Sequence, residues 1–314
     1  MSRLGELLDA GDRLIITGEA PVIDGGTLAD YEAKLQELAP WCDAMNATDN
    51  TAAHAHASNV AMAIAMQRLG VEPILQVVCR DKNRIAQQAD IMGVALHGVE
   101  NICCLTGDDV TAGDEPEARR VYDLDGPQLI RLASSLKEGR YLSGRSVGTP
   151  PPLVIGAVEN PGAPPLDYRA QRAAKKILAG ARFLQLQICY HPDRLEAFVA
   201  ALHEGGWTER CAIIPTVVAV KGAGPLRFMD SAVPGISVPA ETISRVADAE
   251  DPAEEAYRLV LEQSRHALSL PGVRGLHLTD FRKDGSMERL CRDLGIPPRS
   301  ERSTTRADHD LVRI

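Results

Sequence analysis

The sequence predicts an α/β protein built as a single (β/α)8 barrel, and three observations support this fold class. Eight short apolar segments with strand composition alternate with segments of helical periodicity from end to end. The strand segments are almost continuously apolar, which is typical of a parallel sheet covered on both faces. The length of 314 residues suits one barrel, and only 4% of residues are aromatic, so aliphatic side chains dominate the predicted core.

The predicted strands are spaced along the whole chain. They cover residues 14–20, 42–49, 73–79, 101–108, 153–160, 183–190, 211–220 and 273–280. No G-x-G-x-x-G motif follows the early strands, which disfavours the main alternative, an open dinucleotide-binding sheet. We therefore predict a TIM barrel in one domain over residues 1–314, ending in a polar tail over about 297–314.

Helical periodicity is clearest in three connecting segments. In residues 170–181, alanine, isoleucine and leucine recur at i, i+3, i+4, i+7 and i+8, which makes one apolar stripe of a helix. The segments 194–206 and 58–70 end in glycine, a common helix stop. Two stretches depart from simple alternation. Residues 139–152 form a Gly/Pro-rich loop, and residues 223–252 contain extra short helical pieces.

Composition excludes several classes of partner. The formal net charge is −9, so the chain lacks the excess of lysine and arginine that a nucleic-acid surface needs, and we predict no nucleic-acid partner. No apolar run approaches the roughly 18–20 residues of a membrane span, and the acidic N-terminus is unlike a signal peptide. The 7 cysteines form no CxxC pair. We predict reduced thiols in a cytoplasmic protein, with no metal site and no membrane partner.

Polar residues follow the predicted strands, at the end of a barrel where active sites lie. This ring comprises Glu19, Thr48–Asn50, Cys79–Asp81, Thr106–Asp108, Glu159, Asn160, Gln187, Lys221 and Asp280. An aspartate at a strand end can simply cap the next helix, so both readings stay open for Asp49 and Asp81. Glu19 precedes Pro21 where no helix start is evident, which favours a functional role.

Other reactive residue types are expected to be structural. His54 and His56 have no third ligand at useful spacing, so we place them in a surface loop. His277 lies in an apolar strand and is expected to be a hydrogen-bonded core histidine rather than a catalyst. The vicinal Cys103 and Cys104 lie within a strand and are expected to pack in the core.

Six segments, in order, resemble the methylenetetrahydrofolate reductase family in its short form, which is only the catalytic barrel. They are ITGEAP, LQVVCRDKNR, CCLTGD, KKILAGARFLQLQ, IIPTVVAV and GVRGLHLTDFRK, and they run from about Ile15 to Pro297. Each segment alone is weakly specific, whereas six in the right order are strongly specific. The resemblance implies reduction of 5,10-methylenetetrahydrofolate to 5-methyltetrahydrofolate by NADH or NADPH, through a non-covalent flavin.

The resemblance also implies roles for individual residues. Glu19 matches the family's acid, which protonates N10 so that the substrate ring opens to an iminium. Asp108 matches the aspartate beside the flavin and the folate, and the paired Lys175 and Lys176 suit a pyrophosphate. Substrate contacts match Gln187, Phe228 or Met229, and Arg282 or Lys283. Cofactor contacts match Thr48, Gln76, Thr106, Gly107, Asp108, Asn160, Arg172, Lys175 and Lys176.

Several alternatives stay open at this point. The chain has Gln76 and Asn160 where many family members have a histidine and an aromatic residue. FAD is the flavin that the resemblance implies, and these differences keep FMN or no flavin open as alternatives. A pterin-binding barrel methyltransferase and a non-catalytic partner subunit are the competing functions, although the combination of Glu19, Asp108 and Gln187 favours a reductase. The sequence does not decide between NADH and NADPH, or whether the chain forms a homo-oligomer.

Overall fold

A computed structural model describes residues 1–302 and contains a closed barrel of eight parallel strands. The strands are β1 (Ile15–Glu19), β2 (Ala44–Ala47), β3 (Pro73–Val78), β4 (Asn101–Leu105), β5 (Val154–Glu159), β6 (Phe183–Leu186), β7 (Ala212–Ala219) and β8 (Gly275–Asp280). Each strand pairs with its sequence neighbours, and β8 closes the barrel on β1. The predicted (β/α)8 barrel is confirmed, and each predicted strand contains an observed one.

Eleven α-helices accompany the strands in the described residues. They are α1 (Arg3–Ala10), α2 (Leu28–Leu35), α3 (Asn59–Arg68), α4 (Arg84–Ala95), α5 (Gly126–Lys137), α6 (Arg169–Ala179), α7 (Pro192–Glu204), α8 (Ala223–Ala232), α9 (Ala240–Ala247), α10 (Pro252–Ser269) and α11 (Ser286–Asp293). The three predicted helical segments correspond to α3, α6 and α7, and the extra pieces are α8 and α9. None of the helices within residues 1–302 is both long and apolar enough to cross a membrane.

The N-terminal half of the barrel interior is an apolar plug. Phe183 fills its centre, and Leu4 and Leu7 of α1 cover it at the N-terminal ends of the strands, called the lower end here. Gly156 makes room for Phe183, because a Cβ at residue 156 would lie 2.1 Å from the aromatic ring. The sequence analysis did not predict α1, which is a short helix capped by Ser2. Since the lower half of the barrel is sealed, a ligand can enter only from the C-terminal ends of the strands.

At the opposite end from the strand C-termini, the buried carboxylate of Asp43 binds arginines from both ends of the chain. Arg13 donates two hydrogen bonds to it, at 2.8 and 3.1 Å, and Arg302 donates one at 3.0 Å. Arg3 lies 3.7 Å away. The start of the predicted polar tail is therefore anchored to the barrel, while residues 303–314 lie outside the described residues.

Replacing Asp43 with alanine should strongly destabilise the fold. The substitution leaves the guanidinium groups of Arg13 and Arg302 buried without their partner, a change that typically costs about 3–5 kcal/mol. Urea unfolding followed by circular dichroism measures the loss. Asp9→Ala is the control because it breaks only the exposed pair with Arg182, and it should cost about 1 kcal/mol or less. Equal losses in the two variants would contradict a structural role for the buried cluster.

Candidate active site

Glu19 ends β1 at the mouth of the barrel, and only one of its two carboxylate oxygens is held by the protein. Oε2 accepts hydrogen bonds from Nε2 of His277 and from Nδ2 of Asn46, each at 3.1 Å. No hydrogen bond from residues 1–302 reaches Oε1, and 24% of the side chain is exposed. The carboxyl group is thus fixed from the core side and open toward a ligand in the mouth.

A layer of four buried polar side chains lies beneath Glu19. Asn46 and Gln185 exchange a pair of amide hydrogen bonds at 3.0 and 3.1 Å. Nδ1 of His277 lies 2.9 Å from the Thr17 hydroxyl and 3.2 Å from the Gln185 amide nitrogen. The layer therefore joins β1, β2, β6 and β8 across the barrel. Side chains two residues apart on a strand face the same side, so Thr17 and Glu19 both point inward.

The sequence analysis predicted part of this layer and missed the rest. His277 is a hydrogen-bonded core histidine, as expected, but its contact with Glu19 was not predicted. Asn46 and Gln185 were not singled out. Both are lone polar residues within otherwise apolar strands, and this signal becomes informative once the strands are known to close around a common interior.

Arg80 organises the loops that follow β2, β3 and β4. Its guanidinium is buried and binds the carboxylate of Asp81 at 2.7 Å. It also donates to the backbone carbonyls of Asn50, at 3.0 Å, and Asp108, at 3.2 Å. One side chain thereby fixes three neighbouring loops at the mouth. Asp81 contributes to this part of the site as the ionic partner of Arg80.

Asp49 has a structural partner of a different kind. Its buried carboxylate accepts a hydrogen bond from the backbone N–H of Val78 at 3.0 Å and lies 3.4 Å from Lys82. Asp49 therefore links the end of β2 to β3. It does not cap the following helix α3, whose N-cap is Ser58, and Asp81 likewise does not cap α4, whose N-cap is Asn83.

Asp108 is a half-buried carboxylate at the end of the β4 segment, and no hydrogen bond from the described residues reaches its carboxyl oxygens. Burial raises the pKa of Asp108, and the positive charge of Arg80 offsets part of the rise. The preceding Gly107 has φ +89°, and a Cβ there would lie 2.2 Å from a methyl group of Val78. Packing within the chain therefore already requires glycine at residue 107.

Some of the lysine and arginine side chains predicted to bind cofactor phosphates are already paired within the chain. The buried carboxylate of Glu159 binds Arg172 and Lys176, each at 2.9 Å. Lys176 also donates to the Val158 carbonyl at 2.6 Å. Arg172 keeps 26% of its side chain exposed, and Lys175 is exposed. Arg172 and Lys175 are thus better placed than Lys176 to meet an anion from solvent.

The remaining predicted cofactor residues differ in exposure. Thr48 and Gln76 are buried, and the Thr48 hydroxyl lies 3.5 Å from the ring of His56. Thr106 is exposed at the mouth. The side-chain amide of Asn160 donates to the carbonyl of Gly235 at 2.8 Å, so this side chain holds the loop before α9.

The sequence left two choices of substrate residue open, Phe228 or Met229 and Arg282 or Lys283. The structure distinguishes the two members of each pair by their exposure. Met229 packs in the apolar cluster under α8 and α9, whereas 62% of Phe228 is exposed. Arg282 is buried and donates to the Ala253 carbonyl at 2.7 Å, whereas Lys283 is exposed. Phe228 and Lys283 are therefore the members of each pair that a ligand can reach.

A cavity of about 340 Å³ lies beside the barrel, between the ends of β6 and β7 and the helices α7, α9 and α10. Its lining is mostly apolar and includes Leu195, Val217 and Leu259, and it also includes the exposed Gln187. The Gln187 side-chain oxygen accepts a hydrogen bond from the Ile188 backbone at 3.0 Å. Glu19 does not line this cavity, so the cavity is distinct from the barrel mouth.

Comparison with known protein families assigns the chain. The sequence model for methylenetetrahydrofolate reductase matches residues 26–295. The chain belongs to the methylenetetrahydrofolate reductase family. The matched span includes Asp108 and Gln187 but begins after Glu19. No curated protein sequence matches the chain. The resemblance inferred from the six motifs is confirmed, and membership of the reductase family indicates a folate-related barrel enzyme.

Two solved structures share the barrel of this reductase-family chain. One is an uncharacterised Clostridium thermocellum protein that binds two copies of 5-methyl-5,6,7,8-tetrahydrofolic acid; it is 14% identical, with a TM-score of 0.64 over 92% of this chain and 98% of that one. The other is the EDTA monooxygenase of Chelativorans sp. BNC1, which is 10% identical, with a TM-score of 0.55 over 93% of this chain and 97% of that one. At these identities the likeness concerns the fold.

Asp108→Asn should stabilise the protein near neutral pH. Because the folded-state pKa is raised, wild-type stability falls as pH rises from the unfolded value of 3.8 through the folded one. The neutral amide avoids this penalty, so we expect a gain of up to about 1 kcal/mol for a half-exposed group. The gain should vanish in acid, where the aspartate is protonated in both states. Thermal unfolding across an acid titration measures it.

Asp109→Asn is the matched control for this prediction. The Arg120 guanidinium holds the pKa of Asp109 below its usual range, so this variant should not gain stability near neutral pH. A loss of stability in Asp108→Asn would instead show that the Asp108 carboxylate makes a structural contact.

Proposed function

We propose that the protein is a cytoplasmic oxidoreductase that reduces 5,10-methylenetetrahydrofolate to 5-methyltetrahydrofolate with NADH or NADPH. The observation that carries the proposal is the carboxyl group of Glu19, held on one oxygen and open on the other at the mouth of a barrel of this family. The 5-methyltetrahydrofolate bound by the Clostridium thermocellum structure supports a folate as the ligand.

Glu19 supplies the proton that the reaction needs. Protonation of N10 breaks its bond to the bridging methylene carbon and leaves an iminium at N5. Hydride addition to that carbon then gives the N5-methyl product. A general acid of this kind contributes roughly 10²–10⁴ in rate. The negative charge of Asp108 lies at the same mouth and would stabilise the cationic iminium.

The residues around the mouth fit a flavin, with FAD preferred over FMN. One predicted phosphate contact, Lys176, is replaced. The exposed hydroxyl of Thr106 can hydrogen-bond a polar ring edge, whereas the predicted contacts Thr48 and Gln76 are buried and would support the wall of the site. Arg172 and Lys175 would hold the phosphates, since Lys175 is exposed and, although Arg172 and Lys176 are both paired with Glu159, 26% of the Arg172 side chain is exposed against 14% of Lys176. A bound flavin supplies the relay of hydride from the nicotinamide to the folate.

Substrate contacts would come from exposed side chains on helix α8 and on the loops that follow β6 and β8. Phe228 offers an aromatic face to the ring systems of the folate, and Gln187 offers an amide. Lys283 offers a positive charge to a folate carboxylate, a role for which the buried Arg282 is poorly placed.

Purified protein should show the visible absorption of an oxidised flavin, which should bleach under anaerobic NADH or NADPH. The variant Arg172→Ala/Lys175→Ala should bind FAD at least tenfold more weakly, because two phosphate contacts are lost. Lys137→Ala, which removes an exposed lysine at the end of α5, is the control and should bind FAD normally. Protein that reduces the folate but takes up neither FAD nor FMN would leave direct hydride transfer from the nicotinamide as the mechanism.

Glu19→Gln tests the acid directly, because it removes the proton donor and keeps the shape of the side chain. Bleaching of a bound flavin by the nicotinamide needs no proton on N10 and should survive. Reduction of methylenetetrahydrofolate should fall at least about 10²-fold. Rapid-mixing absorbance measurements separate the two half-reactions. Full folate-reducing turnover in the variant would sink the proposed role, and equal losses in both half-reactions would indicate general damage.

A further inference from the structure

The polar layer beneath Glu19 has a hydrogen-bond pattern with one consistent assignment of protons. Asn46 donates one amide proton to Gln185 at 3.0 Å and the other to Oε2 of Glu19 at 3.1 Å. The Asn46 carbonyl accepts from Gln185 at 3.1 Å. Turning one amide alone would bring acceptor against acceptor within this pair, and turning both together would aim the Asn46 oxygen at the Glu19 carboxylate, so Asn46 donates to Oε2.

The tautomer of His277 follows from the neighbours of its two ring nitrogens. Nδ1 lies 2.9 Å from the Thr17 hydroxyl and 3.2 Å from Nε2 of Gln185, which can only donate and which also lies 3.3 Å from the Thr17 hydroxyl. A proton on Nδ1 would face that donor, whereas Oε2 of the Glu19 carboxylate can only accept, so the single proton of the neutral ring lies on Nε2. That proton is directed at Oε2 of Glu19, 3.1 Å away.

We propose that His277 and Asn46, oriented by Gln185 and Thr17, are positioning residues that force the catalytic proton of Glu19 onto Oε1. This inference rests on the proposed acid role of Glu19. Both groups that face Oε2 donate, so Oε2 accepts whether the carboxyl group is protonated or ionised. The proton then resides on Oε1, the oxygen with no partner within residues 1–302, where a folate N10 can reach it. When the proton leaves, the two donors already in place stabilise the carboxylate.

The charged and titratable surroundings of Glu19 are compatible with this assignment. His277 faces it from β8, and Cys103 is near enough on β4 for the charge of Glu19 to raise the pKa of the thiol, on top of the larger effect of burial. Cys103 therefore stays neutral. Lys176 acts on that thiol in the opposite sense, and its charge is paired with Glu159.

Loss of a donor to Oε2 should change the pH dependence of the reaction. Removing a hydrogen bond that favours the ionised carboxyl group keeps the group protonated to higher pH. In His277→Leu and Asn46→Asp, the pH above which folate reduction declines should therefore rise by about one unit. The rate near neutral pH should fall at least tenfold because the carboxyl group is no longer oriented, while nicotinamide oxidation by the bound flavin should be unaffected.

Two further variants separate positioning from packing. His277→Gln can still donate to Oε2 and should recover part of the rate. Leu278→Ala alters the outward-facing neighbour of His277 on β8 and should lower stability with an unchanged pH profile. If His277→Leu and Asn46→Asp behave like Leu278→Ala while Glu19→Gln loses turnover, the acid role stands and the positioning role is wrong. If Glu19→Gln keeps full turnover, the proposed function itself fails.

The tautomer offers a test that does not depend on activity. Nitrogen-15 NMR of histidine-labelled protein should show His277 with its proton on Nε2, with the signal assigned by its loss in His277→Gln. Gln185→Glu places an acceptor beside Nδ1 and should bring a proton to that nitrogen. A wild-type ring protonated on Nδ1 alone would overturn the inference, whatever the kinetics show.

Discussion

The architecture of the site depends on the need to pair every polar group buried inside a closed barrel. Water has little access below the mouth, and an unpaired amide there would cost on the order of 1–3 kcal/mol. Thr17, Asn46, Gln185 and His277 meet this constraint by binding one another across the barrel. Each position depends on the others, so the layer behaves as one rigid unit and presents a single arrangement of donors to Glu19.

The same constraint explains how the interior is stacked. The apolar plug around Phe183 excludes water from below, the polar layer lies above it, and Glu19 lies at the boundary with solvent. Carboxylates nearer the rim of the barrel differ in whether they have ionic partners. Glu159 and Asp81 are neutralised by cations within the chain, whereas Asp108 is left without such a hydrogen-bonded partner among the described residues. Within residues 1–302, the mouth carboxylates Glu19, Asp108 and Asp280 therefore have no lysine or arginine partner.

The sequence was sufficient for the fold because the strands are covered on both faces and therefore read as continuous apolar runs. It was sufficient to locate Glu19 and Asp108 at the mouth of the barrel because both stand at the ends of such runs within recognisable motifs, and their roles stay predictions. It was not sufficient for Gln185, since which residues of a strand face inward depends on how eight strands close. Nor could it reveal that Lys176 is paired with Glu159, 17 residues away, because that pairing depends on how α6 packs against β5.

The arginine cluster on Asp43 has a consequence for how the chain is made. Arg13 precedes Asp43 by 30 residues, whereas Arg302 follows it by 259 and is therefore synthesised long after it. During synthesis the carboxylate can be matched from one side only, and even a barrel whose eight strands have all emerged still lacks part of its lower seal. Until Arg302 has been added, nascent chains therefore hold an incompletely neutralised acid in what will become the core.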